Sequence, residues 1–141
     1  MMNTEILEKS KDLVDRSFTG ALGTINEEGF PQIKAMIKTQ ANGLKDFWFC
    51  SNTSSKRATQ IRKNPNACLY FCDEKTYEGL MLSGQAELSY DDGKRNEFWK
   101  EGMRIYYPQG SSDPDFVLIH FTAVKGNYYH GLQNTDFTVE A

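Results

Sequence analysis

The chain alternates short apolar segments, which have the two-residue period of β-strands, with clusters of turn-forming residues. Between residues 32 and 38, Ile33, Ala35 and Ile37 occupy every second position, which is the spacing of one face of a strand. The stretch Asn26–Gly29 precedes this segment and predicts a hairpin turn. Because the first three strands are joined by short turns, we expect them to be antiparallel. Six strands are expected in all, at residues 18–25, 32–38, 46–51, 67–72, 80–90 and 116–124.

Apolar residues have the spacing of a helix before the first of these strands and again between later ones. We expect helices at residues 3–16 and 55–63, and a third helix capped by Asp91 or Asp92. The segment 106–115 contains two prolines and a glycine and is expected to be a loop, and the C-terminal tail is polar. The elements predict an α+β fold, a six-stranded antiparallel β-barrel with peripheral helices, built as a single domain over residues 1–141.

Composition excludes several classes of function. The net charge of −3 argues against a nucleic-acid-binding protein. No apolar run approaches the roughly 20 residues of a membrane span. The N-terminal segment is charged throughout and lacks the apolar core of a signal peptide, so we expect a cytoplasmic protein.

The three cysteines, Cys50, Cys68 and Cys72, are expected to be free thiols buried in apolar strands. A metal site is the alternative. Two residues four positions apart on one strand are separated by about 13 Å, so one zinc ion cannot bridge Cys68 and Cys72. Since His120 and His130 also lack ligand spacing, we expect no metal site.

Two cations, Lys56 and Arg57, stand at the expected start of the helix at 55–63, where the helix dipole disfavours positive charge. The first turn of a helix also has backbone N–H groups without partners. A phosphate could accept hydrogen bonds from these groups, from the hydroxyls of Ser54 and Ser55, and from both cations. The alternative is a solvated helix start with a Ser or Thr cap and two surface cations, and the pattern alone leaves both open.

A second pair of cations, Lys34 and Lys38, shares one face of the second expected strand, with Met36 between them. Such a face ordinarily points to solvent. If the barrel brings this strand beside the helix start, the same face would flank an anionic ligand with a flat apolar part. Met36 and the backbone would then pack against the flat part.

The order of several short motifs resembles a known family. These motifs are similar to those of the pyridoxamine 5'-phosphate oxidase-like, FMN-binding split-barrel family, and the later ones are closest to its general stress protein branch. The resemblance extends from the first helix to about Gly131. The motifs are GFPQIKAM (29–36), FWFCSNTSSKR (47–57), NP (64–65), YYPQG (106–110), DPDFVLIHFTA (113–123) and NYY (127–129).

The resemblance implies a six-stranded split barrel that forms a homodimer, with FMN in two symmetric sites at the subunit interface. Ser55, Lys56 and Arg57 match the family's phosphate-binding motif, with the two cations in exchanged order. Lys34 matches a basic residue that reaches the phosphate. The strand end Cys50–Ser51 matches the position beside the phosphate turn, so Cys50 and Ser51 are also expected at the cofactor.

The resemblance also assigns residues to the flavin ring. Ala35, Met36 and Ile37 match the strand whose backbone borders the isoalloxazine ring. Gly79 matches a position where the partner subunit approaches the ring. Tyr129 stands where many relatives have a tryptophan beside the flavin, and it offers a smaller aromatic face.

The expected function is that of an FMN-dependent oxidoreductase acting on an unknown small molecule. The alternatives are a non-catalytic flavin-binding or stress-response protein, or a protein that binds a related cofactor such as a deazaflavin or heme. Residues 133–141 contain no cation, whereas the oxidase has a C-terminal basic segment for pyridoxal phosphate, so pyridoxamine phosphate oxidation is not expected. His120 and His130 are expected to be structural, which leaves no candidate for a general acid or base.

Overall fold

The computed structural model describes residues 3–140, so the first two residues and the last residue of the expected domain 1–141 lie outside the described part. The helices in this part are α1 (Asn3–Arg16), α2 (Lys56–Lys63) and α3 (Asp92–Phe98), followed by two short 3₁₀ helices at Glu101–Ile105 and Gly110–Ser112. None of the described helices is long and apolar enough to cross a bilayer. The strands are β1 (Thr19–Ile25), β2 (Pro31–Ile37), β3 (Gln40–Asn42), β4 (Asp46–Asn52), β5 (Asn66–Asp73), β6 (Glu78–Ser89), β7 (Phe116–His130) and β8 (Gln133–Thr138).

These strands form one antiparallel sheet in the order β2-β1-β5-β6-β7-β4-β3, and β8 pairs with the second half of β7. The sheet curls until the segment after β2 reaches β4, where the backbone N–H of Thr39 donates to the carbonyl of Trp48 (3.1 Å). The result is a half-barrel with peripheral helices. The predicted α+β split barrel is confirmed, with eight described strands instead of six.

The interior of the barrel is filled by alternate side chains of neighbouring strands. Phe47 and Phe49 of β4, Phe71 of β5 and Phe121 of β7 are each at most 1% exposed, and the ring centroids of Phe47 and Phe71 lie 5.8 Å apart. Burial of such a side chain contributes roughly 1.5–3 kcal/mol. The same core receives the apolar face of α1, which consists of Ile6, Leu13 and Val14.

Strand β4 follows β3 through a tight turn, and the two pair antiparallel, with Ala41 opposite Phe47. On its other side β4 pairs with β7, with Phe49 opposite Ile119. The first three expected strands are therefore antiparallel, as the short turns predicted, and only two residues separate the end of β2 from the start of β3. Strand β4 lies near β2, and α2 after it lies near β1.

The face of β2 that carries Lys34 and Lys38 is buried only in part. Met36, which lies between them, is 7% exposed, Lys38 is half-buried and Lys34 is exposed. Ile33 and Ile37 on the other face are 71% and 59% exposed. The solvent-face interpretation therefore holds for Lys34 and not for Lys38, whose ammonium group donates to the carbonyl of Val14 at the end of α1 (2.5 Å).

Two C-terminal segments also differ from expectation. Strand β7 continues to His130, beyond the expected end at residue 124, and the polar tail forms β8. Polar side chains suit β8 because most of them face solvent along the edge of the sheet. The expected loop at 106–115 is irregular apart from the 3₁₀ helix Gly110–Ser112.

Candidate functional site

Helix α2 begins at Lys56 with Ser55 as its N-cap. Ser55 is extended (φ −72°, ψ 153°), and its hydroxyl oxygen accepts the backbone N–H of Ala58 at 3.1 Å. A hydroxyl oxygen that accepts one hydrogen bond can still donate its own hydrogen. The cap therefore satisfies one backbone donor and leaves the Ser55 O–H group available, with Lys56 and Arg57 in the first turn.

The preceding residue, Ser54, is turned away from this end of the helix. Its hydroxyl donates to Asp115 Oδ2 (3.2 Å), and its backbone N–H donates to Asp115 Oδ1 (2.8 Å). The side-chain amide of Asn52 also donates to the Ser54 hydroxyl oxygen (2.8 Å). Of the two hydroxyls considered from the sequence, the geometry thus leaves only that of Ser55 free to bind an anion.

A cleft of about 360 Å³ opens beside the start of α2, which is within the size range of small-molecule sites. It brings together three of the predicted cations, Lys34 from β2 and Lys56 and Arg57 from α2. None of the described residues that line it is acidic, so its charge is positive. The lining consists of Leu22, Thr24, Gln32, Ile33, Lys34, Asn52, Ser55, Lys56, Arg57 and Gln60.

Arg57 is the most constrained of these cations. Its Nη2 donates to the hydroxyl of Ser51 (3.2 Å), which places Ser51 next to the cleft. Its Nε is buried and has no hydrogen-bond partner within the described residues. Burial lowers the pKa of Arg57, against a smaller opposing effect of Tyr107. A buried donor without a partner is costly, and an anion in the cleft could satisfy it.

Four further polar residues of the cleft were not identified from the sequence, namely Thr24, Gln32, Asn52 and Gln60. The hydroxyl of Thr24 donates to Gln60 Oε1 (2.6 Å), which directs the other side of the amide, its N–H donors, away from Thr24. Gln60 lies four residues after Lys56 and therefore on the same face of α2, so helical spacing could have identified it. Nothing in the sequence pattern distinguishes Thr24 from other strand residues.

The other predicted site residues of β2, which are Ala35, Met36 and Ile37, lie outside this cleft, and so does Cys50. Met36 is part of the core, while Ala35 and Ile37 lie on the exposed outer side of β2. Cys50 accepts a weak hydrogen bond from the Thr39 hydroxyl (3.7 Å) and packs against a small apolar cluster beside α3. Burial raises the pKa of the Cys50 thiol. These placements leave the expected cofactor contacts of the four residues as a prediction.

Gly79 and Tyr129 are neighbours, but they do not line the cleft of their own chain. The ring of Tyr129 covers Gly79 so closely that a Cβ on Gly79 would lie 2.0 Å from the ring. The Tyr129 and Tyr70 hydroxyls are hydrogen-bonded at 2.7 Å. Burial raises the pKa of Tyr70, and this hydrogen bond raises it further.

The histidines do not contribute to the cleft. His120 Nε2 lies 2.9 Å from Asp46 Oδ1 and its Nδ1 lies 3.3 Å from Glu87 Oε1, and the ring stacks on Trp48 with a centroid distance of 4.1 Å. His130 ends β7 and is exposed. Across residues 3–140 no group of three or more His, Cys, Asp or Glu side chains is arranged to hold a metal ion.

Comparison with known structures identifies proteins of the same fold. A protein from Clostridium acetobutylicum, related to general stress protein 26 and of the pyridoxinephosphate oxidase family, is 40% identical, with 98% of this chain and 97% of that chain covered and a TM-score of 0.87. A heme-binding protein from Mycobacterium smegmatis shares the fold at 16% identity and a TM-score of 0.75, over 98% of this chain and 60% of that one.

Comparison of sequences identifies the family. A pyridoxine/pyridoxamine 5'-phosphate oxidase from Bombyx mori is 33% identical over 75 residues, which are 52% of this chain and 29% of that enzyme. The match thus covers less than a third of the length of this curated relative. The family described as pyridoxamine 5'-phosphate oxidase like matches residues 5–140. Because this match extends over nearly the whole sequence, the chain belongs to the pyridoxamine 5'-phosphate oxidase-like family.

Proposed function

We propose that the chain binds FMN, with the phosphate of the cofactor in the cleft at the start of α2. The observation that carries the proposal is the convergence of Lys34, Lys56 and Arg57 on one cleft without an acidic neighbour, including the buried Nε of Arg57. Members of this family typically bind flavin. The cleft fits the anionic part of such a cofactor because charge-assisted hydrogen bonds to phosphate are strong and need donors of this kind.

The roles of the individual residues follow from their chemistry. Arg57 donates through a planar fork that matches two phosphate oxygens, whereas Lys34 and Lys56 contribute compact charges. The Ser55 hydroxyl and the N–H groups of the first turn of α2 complete the donor set. Gln60, whose amide oxygen is taken by Thr24, offers its N–H groups to an oxygen of the ligand.

The proposal includes a homodimer with FMN at the subunit interface. The outer face of β2 exposes Ile33 and Ile37, and neighbouring Phe18 is 73% exposed. An exposed apolar face of this kind marks an interaction surface. In this proposal Gly79 marks the place where the second copy approaches the flavin ring, and Tyr129, its neighbour across β6 and β7, would contact the ring from one of the two subunits.

We further propose that the bound flavin serves an oxidoreductase reaction on a small molecule. When bound, the isoalloxazine ring supplies the oxidation–reduction chemistry, and the protein binds and orients it. None of the described residues that line the cleft is a histidine or a carboxylic acid.

The absorption spectrum of protein purified without added ligand is the first test. Flavin bands would support FMN, a Soret band would indicate heme, and a shifted band without the flavin maxima would indicate a deazaflavin. Heme is not favoured by the arrangement of side chains, since neither histidine lines the cleft. A protein that stays colourless and does not take up added FMN at micromolar concentration would contradict the proposal.

An anaerobic titration with NADH and NADPH separates the oxidoreductase from a flavin-binding protein without turnover. Bleaching of the flavin bands by one of these donors is the expected result. If neither donor reduces the bound flavin, the non-catalytic alternative of a flavin-binding or stress-response protein is favoured.

A further inference from the structure

The loop before β7 is hydrogen-bonded to the turn that precedes α2. The backbone N–H of Thr53 donates to the carbonyl of Asp115 (2.7 Å), and its hydroxyl donates to the carbonyl of Pro114 (3.1 Å). The Asp115 carboxylate accepts both the backbone N–H and the hydroxyl of Ser54, at 2.8 and 3.2 Å. Four hydrogen bonds thus join two segments that are about 60 residues apart in the sequence.

The position of Asp115 is itself fixed. Its backbone N–H donates to Asp113 Oδ1 (2.9 Å), while Asp113 Oδ2 accepts the backbone N–H of Gln109 (3.0 Å). Asp113 is only 6% exposed, and its carbonyl accepts the backbone N–H of Phe116 at 3.0 Å. The Asp115 carboxylate therefore projects toward the turn from a loop with its own internal hydrogen bonds.

A carboxylate at this place has an electrostatic cost. It accepts hydrogen bonds from Ser54, the residue before the N-cap of α2, so its negative charge stands on the same turn as the site proposed for a phosphate and repels that ligand. It is not among the residues that line the cleft, so it does not contact the ligand directly. Its contribution must then be to the geometry of the turn, because its two acceptor oxygens match the two donors of Ser54.

We propose that Asp115 is a positioning residue for the phosphate-binding turn. It acts through Ser54, whose backbone it holds so that Ser55 caps α2 with its O–H group facing the cleft. The inference rests on the proposed function of the cleft and adds to it a residue from the β7 side of the barrel. Because the turn meets only the phosphate of FMN, Asp115 affects binding of the phosphate and not of the ring.

The test compares the affinities of FMN and riboflavin, measured by quenching of flavin fluorescence, in the wild type and in Asp115→Ala. Loss of two hydrogen bonds at the turn is expected to weaken FMN binding about tenfold or more. Riboflavin lacks the phosphate, so its affinity is expected to stay within about twofold of the wild-type value. A merely structural defect would weaken both ligands together, which is the result that would overturn the inference.

Asp115→Asn provides the rescue. Its amide oxygen can accept the Ser54 N–H and its NH₂ group can donate to the Ser54 hydroxyl oxygen, so the turn keeps its geometry without the negative charge. FMN affinity at or above the wild-type level is expected. If Asp115→Asn is as weak as Asp115→Ala, the charge matters instead of the geometry and the inference fails.

A matched control is Asp91→Ala. Asp91 also accepts a backbone N–H with its carboxylate, that of Lys94 (2.8 Å), but at the start of α3. The Asp91→Ala substitution is expected to lower the melting temperature without changing the ratio of FMN affinity to riboflavin affinity. Wild-type protein that binds no FMN would refute the proposed function itself, whereas normal FMN binding by Asp115→Ala would refute only the role of Asp115.

Discussion

At the scale of single residues, the cations of α2 act where the helix alone would disfavour them. Replacing both Lys56 and Arg57 by alanine removes two charge-assisted contacts, each worth roughly 1.5–3 kcal/mol. We expect FMN binding to weaken by several kcal/mol, with little loss of stability because neither side chain fills the core. Isothermal titration with FMN at moderate salt measures the effect.

The same helix provides the control for this double variant. Arg62 and Lys63 lie in the last turn of α2 and contact Tyr90 and Glu27 instead of the cleft. Alanine at both positions removes the same net charge, so it is expected to change FMN affinity by less than about 1 kcal/mol. An unchanged affinity in the Lys56/Arg57 variant would refute the assignment of the phosphate site.

A second residue-scale prediction concerns Glu78, the first residue of β6. Burial alone would raise the pKa of Glu78, but hydrogen bonds from Tyr128 and Thr76 and the Arg16 guanidinium lower it from 4.5 to about 2. Since the folded pKa lies below the unfolded one, this group stabilises the protein above about pH 4.5 and loses its effect as the pH falls toward 2. The contribution is on the order of 3 kcal/mol.

Urea unfolding of Glu78→Gln and wild type between pH 7 and pH 2.5 measures this contribution. The difference in unfolding free energy between the two proteins is expected to be largest at neutral pH and to shrink below about pH 4.5. Glu74→Gln, an exposed residue on the adjacent turn, is the control. A difference that does not vary with pH would contradict the prediction.

The sequence predicted part of the site and missed the rest for identifiable reasons. Lys56 and Arg57 could be found because the anomaly is local, two cations at the start of one helix. Gln60 was accessible through helical spacing. Thr24 and Asp115 could not be found, because each reaches the site through non-local pairing of a strand or loop that gives no signal in its own neighbourhood.

At the scale of elements, β6 depends on a bulge between Ser83 and Gly84. A Cβ on Gly84 would lie 1.9 Å from the carbonyl oxygen of Thr122, which is backbone and cannot move aside cheaply. Gly84→Ala is therefore expected to destabilise the protein by roughly 1–3 kcal/mol. Gly102→Ala, where no atom lies within 4 Å, is the matched control, and thermal unfolding of both variants measures the difference. Equal melting temperatures would contradict this.

Strand periodicity predicted where most elements lie but not how they face. In β2 both faces contain apolar residues, Met36 on one and Ile33 and Ile37 on the other, so the pattern could not decide which side is buried. The polar strand β8 gave no apolar signal at all, because it is an edge strand that mostly faces solvent. Pairing with neighbouring strands, and not local propensity, determines both which side of β2 is buried and that the polar tail forms β8.

At the scale of the whole molecule, the outer face of β2 is expected to be buried in a homodimer. Replacing Ile37 by aspartate places a charge on this face without altering the cleft, which Ile33 lines, so the variant is expected to be monomeric at micromolar concentration while the wild type sediments as a dimer. FMN affinity is expected to fall when the dimer is lost, because the site proposed at the subunit interface would then lack the partner's half.

Leu132→Asp is the control for this prediction. Leu132 is fully exposed at the turn between β7 and β8, so a charge there is expected to leave the dimer intact. A wild-type protein that sediments as a monomer, or an aspartate variant that remains dimeric, would show that β2 is not the interface.

The cleft also has a consequence for thermal stability. Its walls include β2 and α2, elements separated by 18 residues of chain. Their three like charges repel one another until a counter-charge neutralises them. Any anion that occupies this place should therefore join the two walls and make the melting temperature rise with its concentration. At a hundredfold excess over its dissociation constant the gain is about 2.7 kcal/mol.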